Sequence, residues 1–302
     1  MRLILIFVVF LFSSLAHAQL QVATSFSILE DLVKNVGGTR IKVSSIVPRD
    51  SDTHSYQPSA QDIRVLAAAK VVFVNGMGFE GWFSKLAKNA NSQAKIIELS
   101  KGLSALPLNG EGHDEEDHDE AGHNHGEFDP HLWWNPMNVV QYVYRIRNAL
   151  VAADSKGKDT YWSNASRYAR DVANLDAWAK LEVAKIPANN RKIVTNHDAL
   201  GYLAKRYGFK VIGTVIPGGG TERAPSARET ADLIRLIRRE KVKAIFTENV
   251  VNAKLAESIA KETGAKIAPS LYTDALSVVG SSGDTYLKAF RHNISTLVAA
   301  LQ

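Results

Sequence analysis

Four residues far apart in the chain, His54, His131, His197 and Asp274, could share one metal ion. Imidazole nitrogen and carboxylate oxygen are donors that zinc takes at about 2.0–2.2 Å, usually in a tetrahedron. Four protein donors leave no open position for a water, which suits holding an ion rather than using it for hydrolysis. Each of these residues alone reads equally well as an ordinary loop or core side chain. Their shared placement, set out below, is what points to an ion. The chain has no cysteine, which excludes disulfides, thiolate ligands and cysteine nucleophiles and restricts any metal to nitrogen and oxygen.

The most specific local sequence surrounds His131: Asp129-Pro130-His131-Leu132-Trp133-Trp134-Asn135-Pro136. The two prolines restrict the residues before them, and the Trp pair can bury backbone and exclude water. A Trp-anchored turn leading into a helix explains everything here except the histidine. Just upstream, residues 109–127 hold eight acids, no Lys or Arg, and His113, His118, His123 and His125. Such a tract cannot build a core. It reads as a low-affinity metal collector or as a solvated acidic loop with incidental histidines. The formal charge of +5 therefore sums this acidic insertion and a remainder of +13. Because protons compete with metal for imidazole, binding at both places should weaken in mild acid.

The elements that must position these side chains follow from periodicity. Short Val- and Ile-rich runs alternate with segments whose apolar residues recur at 3–4 spacing. The first half reads as strands 20–25, 41–47, 71–74 and 95–98 with helices 27–36, 59–69 and 80–89. The second reads as strands 192–195, 210–216, 243–247 and 265–268 with helices 198–207, 226–239 and 252–263. Thr24, Leu29, Leu32, Lys34 and Gly37 recur 171 positions later as Thr195, Leu200, Leu203, Lys205 and Gly208, which suggests a duplicated unit. Strand–helix alternation implies parallel sheets with right-handed crossovers. The expected fold class is α/β, with two lobes that each carry a parallel four-stranded sheet flanked by helices.

Pro136 opens a helix to about Ala153, and residues 158–185 lack Gly and Pro. That second stretch reads as a long rigid α-helix joining the lobes. The expected organisation is a signal peptide over 1–18, a first lobe over 19–156, a linking helix over 157–186 and a second lobe over 187–302. In open α/β sheets ligands sit beyond the carboxyl ends of the strands. His54, His131, His197 and Asp274 all follow predicted strands there, two from each half.

Met1-Arg2, the apolar run Leu3–Phe12 and Ala16-His17-Ala18 form a secretory-signal pattern with cleavage expected after Ala18. No cysteine follows for a lipid anchor, and no later run approaches a membrane span, so a soluble periplasmic protein is expected. Gly218-Gly219-Gly220 lacks the Lys-Ser/Thr of a phosphate loop and reads as a surface turn. His292 reads as structural or solvated. Basic residues such as Arg235, Arg238, Arg239 and Lys241 read as a solvated helix face rather than a nucleic-acid surface.

The motifs His54-Ser55-Tyr56-Gln57-Pro58, Asn75-Gly76, Asp129-Pro130-His131, Asn196-His197-Asp198-Ala199 and Thr273-Asp274-Ala275-Leu276 together resemble one family. It is the periplasmic metal-binding proteins of ABC importers for zinc and manganese, and the likeness covers essentially the whole mature chain. The resemblance implies two α/β lobes, a rigid linking helix and one ion in the cleft, with His54, His131, His197 and Asp274 at ligand positions. Manganese-type members typically carry Glu where this chain has His197, so His197 and the His-rich insertion resemble the zinc branch. The family also implies no catalysis, Zn²⁺ as transported cargo, and an inner-membrane permease with its ATPase as partners. A periplasmic zinc chaperone is a further expected partner, and a monomer is expected. Thr53 stands where some zinc members have an acid, and Asn135 where an acid usually precedes the second proline. Two readings of other classes are a zinc-dependent hydrolase using Asp198 as general base, and an adhesin-like surface protein. Within the leading class the alternative cargo is manganese or iron(II).

Overall fold

The computed structural model describes residues 19–108 and 128–302. The expected signal segment and the insertion bearing His113, His118, His123 and His125 lie outside the described residues.

In the first half, β1 (Leu20–Thr24), α1 (Ser27–Gly37), β2 (Ile41–Ser45), α2 (Ala60–Ala68), β3 (Val71–Val74), α3 (Phe83–Asn89) and β4 (Lys95–Glu98) follow in order. Next come α4 (Pro136–Ala153) and α5 (Lys158–Val183). The second half holds β5 (Lys192–Thr195), α6 (Gly201–Tyr207), β6 (Lys210–Thr214), α7 (Ala227–Glu240), β7 (Ala244–Glu248), α8 (Lys254–Thr263), β8 (Lys266–Leu271) and α9 (Tyr286–Leu301). Two parallel four-stranded sheets result, ordered β2-β1-β3-β4 and β6-β5-β7-β8. The two orders are the same, as a duplicated unit requires. The strands β3 and β7, inside the sheets, are buried at every position. The edge strands β4 and β8 expose Ile96 and Ile267. Strands covered on both faces read as unbroken apolar runs, which is why the sequence marks them.

Helix ends follow from local chemistry. The Asn135 side chain accepts from the Met137 N–H at the start of α4, where Pro136 needs no partner. An Asn there supplies the cap that an acid would. Ser226 and Glu229 form a reciprocal capping box at α7. Two helices begin later than periodicity predicts. Gly76, Met77 and Gly78 have φ of 90°, 56° and 78°, so the chain turns tightly and α3 starts only at Phe83. The turn of residues 197–200, closed by the Ala199 N–H to the His197 carbonyl, delays α6 to Gly201.

At 26 residues α5 is about 39 Å long. It packs on α1 and α4 of the first half and on α9 of the second. One contiguous apolar cluster runs through both halves, from Val22 and Phe26 through Trp133, Trp134 and Tyr168 to Tyr286, Phe290 and Leu301. The lobes therefore share a core as well as a helix.

Candidate metal centre

All four predicted donors sit past the carboxyl ends of strands, and the structure brings them together. His54 lies in the loop after β2, His131 in the connection after β4, His197 just after β5 and Asp274 just after β8. One nitrogen or oxygen from each lies within 4.8 Å of all the others, and all four residues are buried. Nε2 of His54 is 3.3 Å from Nε2 of His131 and 3.4 Å from Asp274 Oδ2. His131 Nε2 is 3.5 Å from Asp274 Oδ1, and His197 Nε2 is 3.0 Å from Asp274 Oδ2. A tetrahedron with metal–ligand bonds of about 2.05 Å has edges of about 3.3 Å. The four separations above, which draw on both Asp274 oxygens, lie close to that value.

His197 Nε2 and both Asp274 oxygens are buried and, among the described residues, have only the other converging donors beside them. Three buried carboxylates (Asp129, Glu248 and Asp274) surround the point where the donors converge. Among the described residues their ion pairs run only to histidines, with no Lys or Arg. Buried carboxylates without compensating charge are costly, and a divalent cation supplies that charge.

Carboxylates hold two of the three imidazoles from behind. Asp129 Oδ1 accepts from the backbone N–H of His131 at 2.9 Å and meets its Nδ1 at 2.7 Å. Glu248 accepts from the backbone N–H of His197 at 2.9 Å and meets its Nδ1 at 2.5 Å. Both Nδ1 atoms thus carry the proton, which leaves Nε2 for the ion. The His54 loop is fixed by Asp52, which accepts from the His54 N–H at 2.9 Å, and by the Trp82 indole donating to the Thr53 carbonyl at 2.8 Å. Asp274 is fixed through its neighbours. The Trp133 and Trp134 indoles both donate to the Thr273 carbonyl at 3.1 Å, and the Leu276 N–H donates to Ser27 Oγ at 2.9 Å. Phe79 and Trp133 wall the site, with Phe79 4.8 Å from the His54 ring and Trp133 5.3 Å from the His131 ring.

These surroundings set the charges. Burial pushes the His54 pKa below the usual imidazole value, with Asp274 offsetting part of the shift. Burial also opposes charge on His197, but Glu248 and Asp274 outweigh it and hold that pKa well above the usual value. For Asp274, burial is outweighed by His197 and His131, which keep it well below the carboxylate range.

Of the other residues singled out, His292 lies on α9 with its Nε2 2.9 Å from the Ser270 carbonyl, away from the centre. The Gly218–Gly220 turn has a role that its composition did not suggest. Its neighbour Thr221 donates to Asp52 Oδ2 at 2.5 Å, joining the second half to the loop that carries His54. Asp198 is buried but is not one of the four converging donors. A groove between α7 and α8, lined by Ile234, Arg235 and Arg238, shares no residue with them. Sequence reading missed Glu248, which only strand order brings behind His197. It quoted Asp129 in a motif without giving it a task.

A family model described as zinc-uptake complex component A, periplasmic, matches residues 22–300. The chain is 33% identical over 282 residues to the manganese-binding lipoprotein MntA of Halalkalibacterium halodurans, covering 93% of this chain and 88% of that protein. It is 31% identical over 277 residues to the iron-binding protein YfeA of Yersinia pestis, covering 92% and 85% respectively. Among solved structures, the periplasmic zinc binding protein TroA from Treponema pallidum matches with a TM-score of 0.83 at 26% identity, covering 94% of this chain and 99% of that one. A buried site with four converging donors and this full-length likeness agree, and the chain belongs to the family of zinc-uptake complex component A, the periplasmic metal-binding proteins of ABC importers.

Proposed function

We propose that this chain captures Zn²⁺ in the cleft and delivers it to an inner-membrane ABC permease for import. The observation that carries the reading is the donor set: three imidazole nitrogens and one carboxylate converge on a single buried point. Nitrogen-rich shells suit zinc, whereas harder ions take more oxygen. In this reading His54, His131, His197 and Asp274 bind the ion. Residues 19–156 and 187–302 form the lobes on either side of the linking helix 157–186. In this reading export is by the segment 1–18. Among the described residues no helix is long and apolar enough to cross a membrane.

Manganese or iron(II) is the second reading. It is favoured by the relatives at 31–33% identity whose names give those ions. Zinc outranks both in the general affinity order, so the test must compare magnitudes rather than detect binding.

The experiment is a titration of metal-stripped protein with Zn²⁺ and Mn²⁺ separately. One tight zinc equivalent is expected, with manganese weaker by about a hundredfold or more. His131→Ala or His197→Ala should abolish the tight site. Deleting residues 110–126 should remove any weaker zinc equivalents and leave the tight one. Equal affinity for the two ions counts against zinc as cargo, and loss of the tight site on deletion counts against the four-residue assignment.

A further inference from the structure

Residues 109–127 lie outside the described residues, but both arms that anchor them are described, and the second half of the chain holds those arms. Pro107 and Phe128 form an antiparallel bridge, and the Asp129 N–H donates to the Leu106 carbonyl at 2.8 Å. The Tyr202 hydroxyl of α6 joins the two arms. It accepts from the Leu106 N–H at 3.0 Å and donates to the Asp129 carbonyl at 2.9 Å. Leu108 packs so closely on Gly219 that a Cβ there would meet its side chain at 2.6 Å. From Gly219 the chain runs five residues to Ala224, at one end of the groove between α7 and α8.

We propose that residues 109–127 dock along this groove and are held there by charge. Small and apolar side chains such as Ala227, Ala231 and Ile234 line it, with Arg235 and Arg238 beside them. Small side chains let an extended backbone come close, and the segment has glycine at 110, 112, 122 and 126. Its eight acids have no Lys or Arg within the segment. Residues 187–302 carry 17 Lys and Arg against 10 Asp and Glu, and three of those acids, Asp198, Glu248 and Asp274, are buried. On α7, Arg228 and Arg235 share the one carboxylate of Asp232, while Arg238 meets Glu262 of α8 at 3.6 Å. These arginine side chains are 52–92% exposed, so the pairs are weak and leave guanidinium N–H groups open to further carboxylates. Contacts this weak hold a tethered segment rather than a free partner, because a tether gives an effective concentration in the millimolar range. Closed at both ends, 19 residues extend outward by about nine residues, or ~30 Å, whereas Gly219 to Ala224 spans at most ~18 Å. Docked there, the eight acids offset the charge of the more basic half, which otherwise repels an incoming cation.

The chain has no cysteine, so spin labels can be placed on introduced ones. The full chain, kept metal-free, carries Glu116→Cys in the segment together with one of two exposed positions. These are Ser258→Cys on α8, beside the groove, and Ser84→Cys on α3 of the first half. Pulsed electron resonance at low salt should give a distinct short-distance population for the Ser258 pair and a broad, longer distribution for the Ser84 pair. Salt at about 1 M, which confines charge interactions to about 3 Å, should reduce the short population by about fivefold or more. Arg235→Glu combined with Arg238→Glu should do the same at low salt and leave the tight zinc equivalent of the unlabelled protein unchanged. The proposal is overturned if the two label pairs give equally broad distributions, or if the short population survives salt or charge reversal. It is also overturned if a mixture of the two singly labelled proteins reproduces the short population, which would place a second copy of the chain in the groove. Should the charge-reversed protein fail to fold, the salt series on the parent decides.

Discussion

Raising the pH from 6.5 to 7.5 is expected to tighten zinc binding about tenfold, because one proton occupies the ion's place. In the metal-free site Glu248 and Asp274 outweigh burial and hold the His197 pKa well above the ordinary imidazole value. Its Nδ1–H is already engaged with Glu248 at 2.5 Å, so the second proton sits on Nε2, 3.0 Å from Asp274 Oδ2. Zinc must displace it. His54 is shifted the other way by burial and is already neutral, and Asp274 is held low and already ionised. Neither contributes a proton in this interval. One displaced proton corresponds to about 1.4 kcal/mol per pH unit.

The metal-free fold responds with the opposite sign. A raised His197 pKa contributes stability that is complete below about pH 6.5 and is lost as pH rises through the folded-state value. The thermal shift produced by zinc should therefore widen with pH. Calorimetric titrations at pH 7 in two buffers of different protonation enthalpy count the protons released. The expected count for His197 is close to one. An affinity that is flat between pH 6 and 8, with no proton released, would refute the assignment of the charge to His197.

Two further outcomes concern the frame around the site. Thr221→Ala removes the hydrogen bond to Asp52 that joins the halves beside His54. Bonds to charged groups are worth about 1.5–3 kcal/mol, reduced here by partial exposure, so zinc should dissociate about five- to tenfold faster when chased with excess chelator in stopped flow. An unchanged rate would mean that this bond does not restrain the His54 loop. Arg206→Ala strips Asp176 on α5 of its bidentate partner on α6. Burial would raise the Asp176 pKa, but Arg206, Tyr207 and Lys180 hold it at about 2. Its contribution is thus complete above about pH 4 and disappears as pH falls toward 2. The variant should lose about 2–3 kcal/mol and melt about 5–10 °C lower by calorimetry while keeping its zinc affinity. A loss of affinity without loss of stability would show that the pair acts on the site instead.

Much of this arrangement is legible in the chain. Apolar runs such as Val71–Val74 mark inner strands because both faces are covered, and strand–helix alternation then fixes parallel sheets. Once the strands are placed, the carboxyl-edge rule picks out His54, His131, His197 and Asp274. What escapes the sequence depends on neighbours distant in the chain. Glu248 stands behind His197 only because β7 lies beside β5. Thr221 reaches Asp52 across 169 positions. Helix starts escape for a local reason. Met77 takes a positive φ that its residue type does not announce, and the Glu80 carboxylate folds back to the N–H groups of Asn75 and Gly76 at 2.7 and 3.0 Å. The chain between β3 and α3 is therefore a turn where periodicity reads helix.

The shared core bears on how the ion can leave. Trp133, Trp134, Tyr286 and Phe290 are each fully buried, and Trp134 stacks on Phe290 with centroids 5.9 Å apart. The Tyr286 hydroxyl donates to the Trp133 carbonyl at 2.8 Å, and the Tyr286 N–H to Asp31 at 3.0 Å. These aromatics come from both sides of the cleft and lie directly beneath it, since the same two indoles hold Thr273. Together they carry about 600–1,000 Å² of surface. Exposing a third of that, at about 25 cal/mol per Å², costs about 5–8 kcal/mol. A wide hinge that separates the lobes would pay this cost on every cycle, whereas the His54 loop is held by a few hydrogen bonds, involving Asp52, Trp82 and Thr221, of smaller worth. Release is therefore expected to proceed by local displacement of the His54 loop (52–55), with α5, the buried Asp274 segment and the core beneath it unmoved.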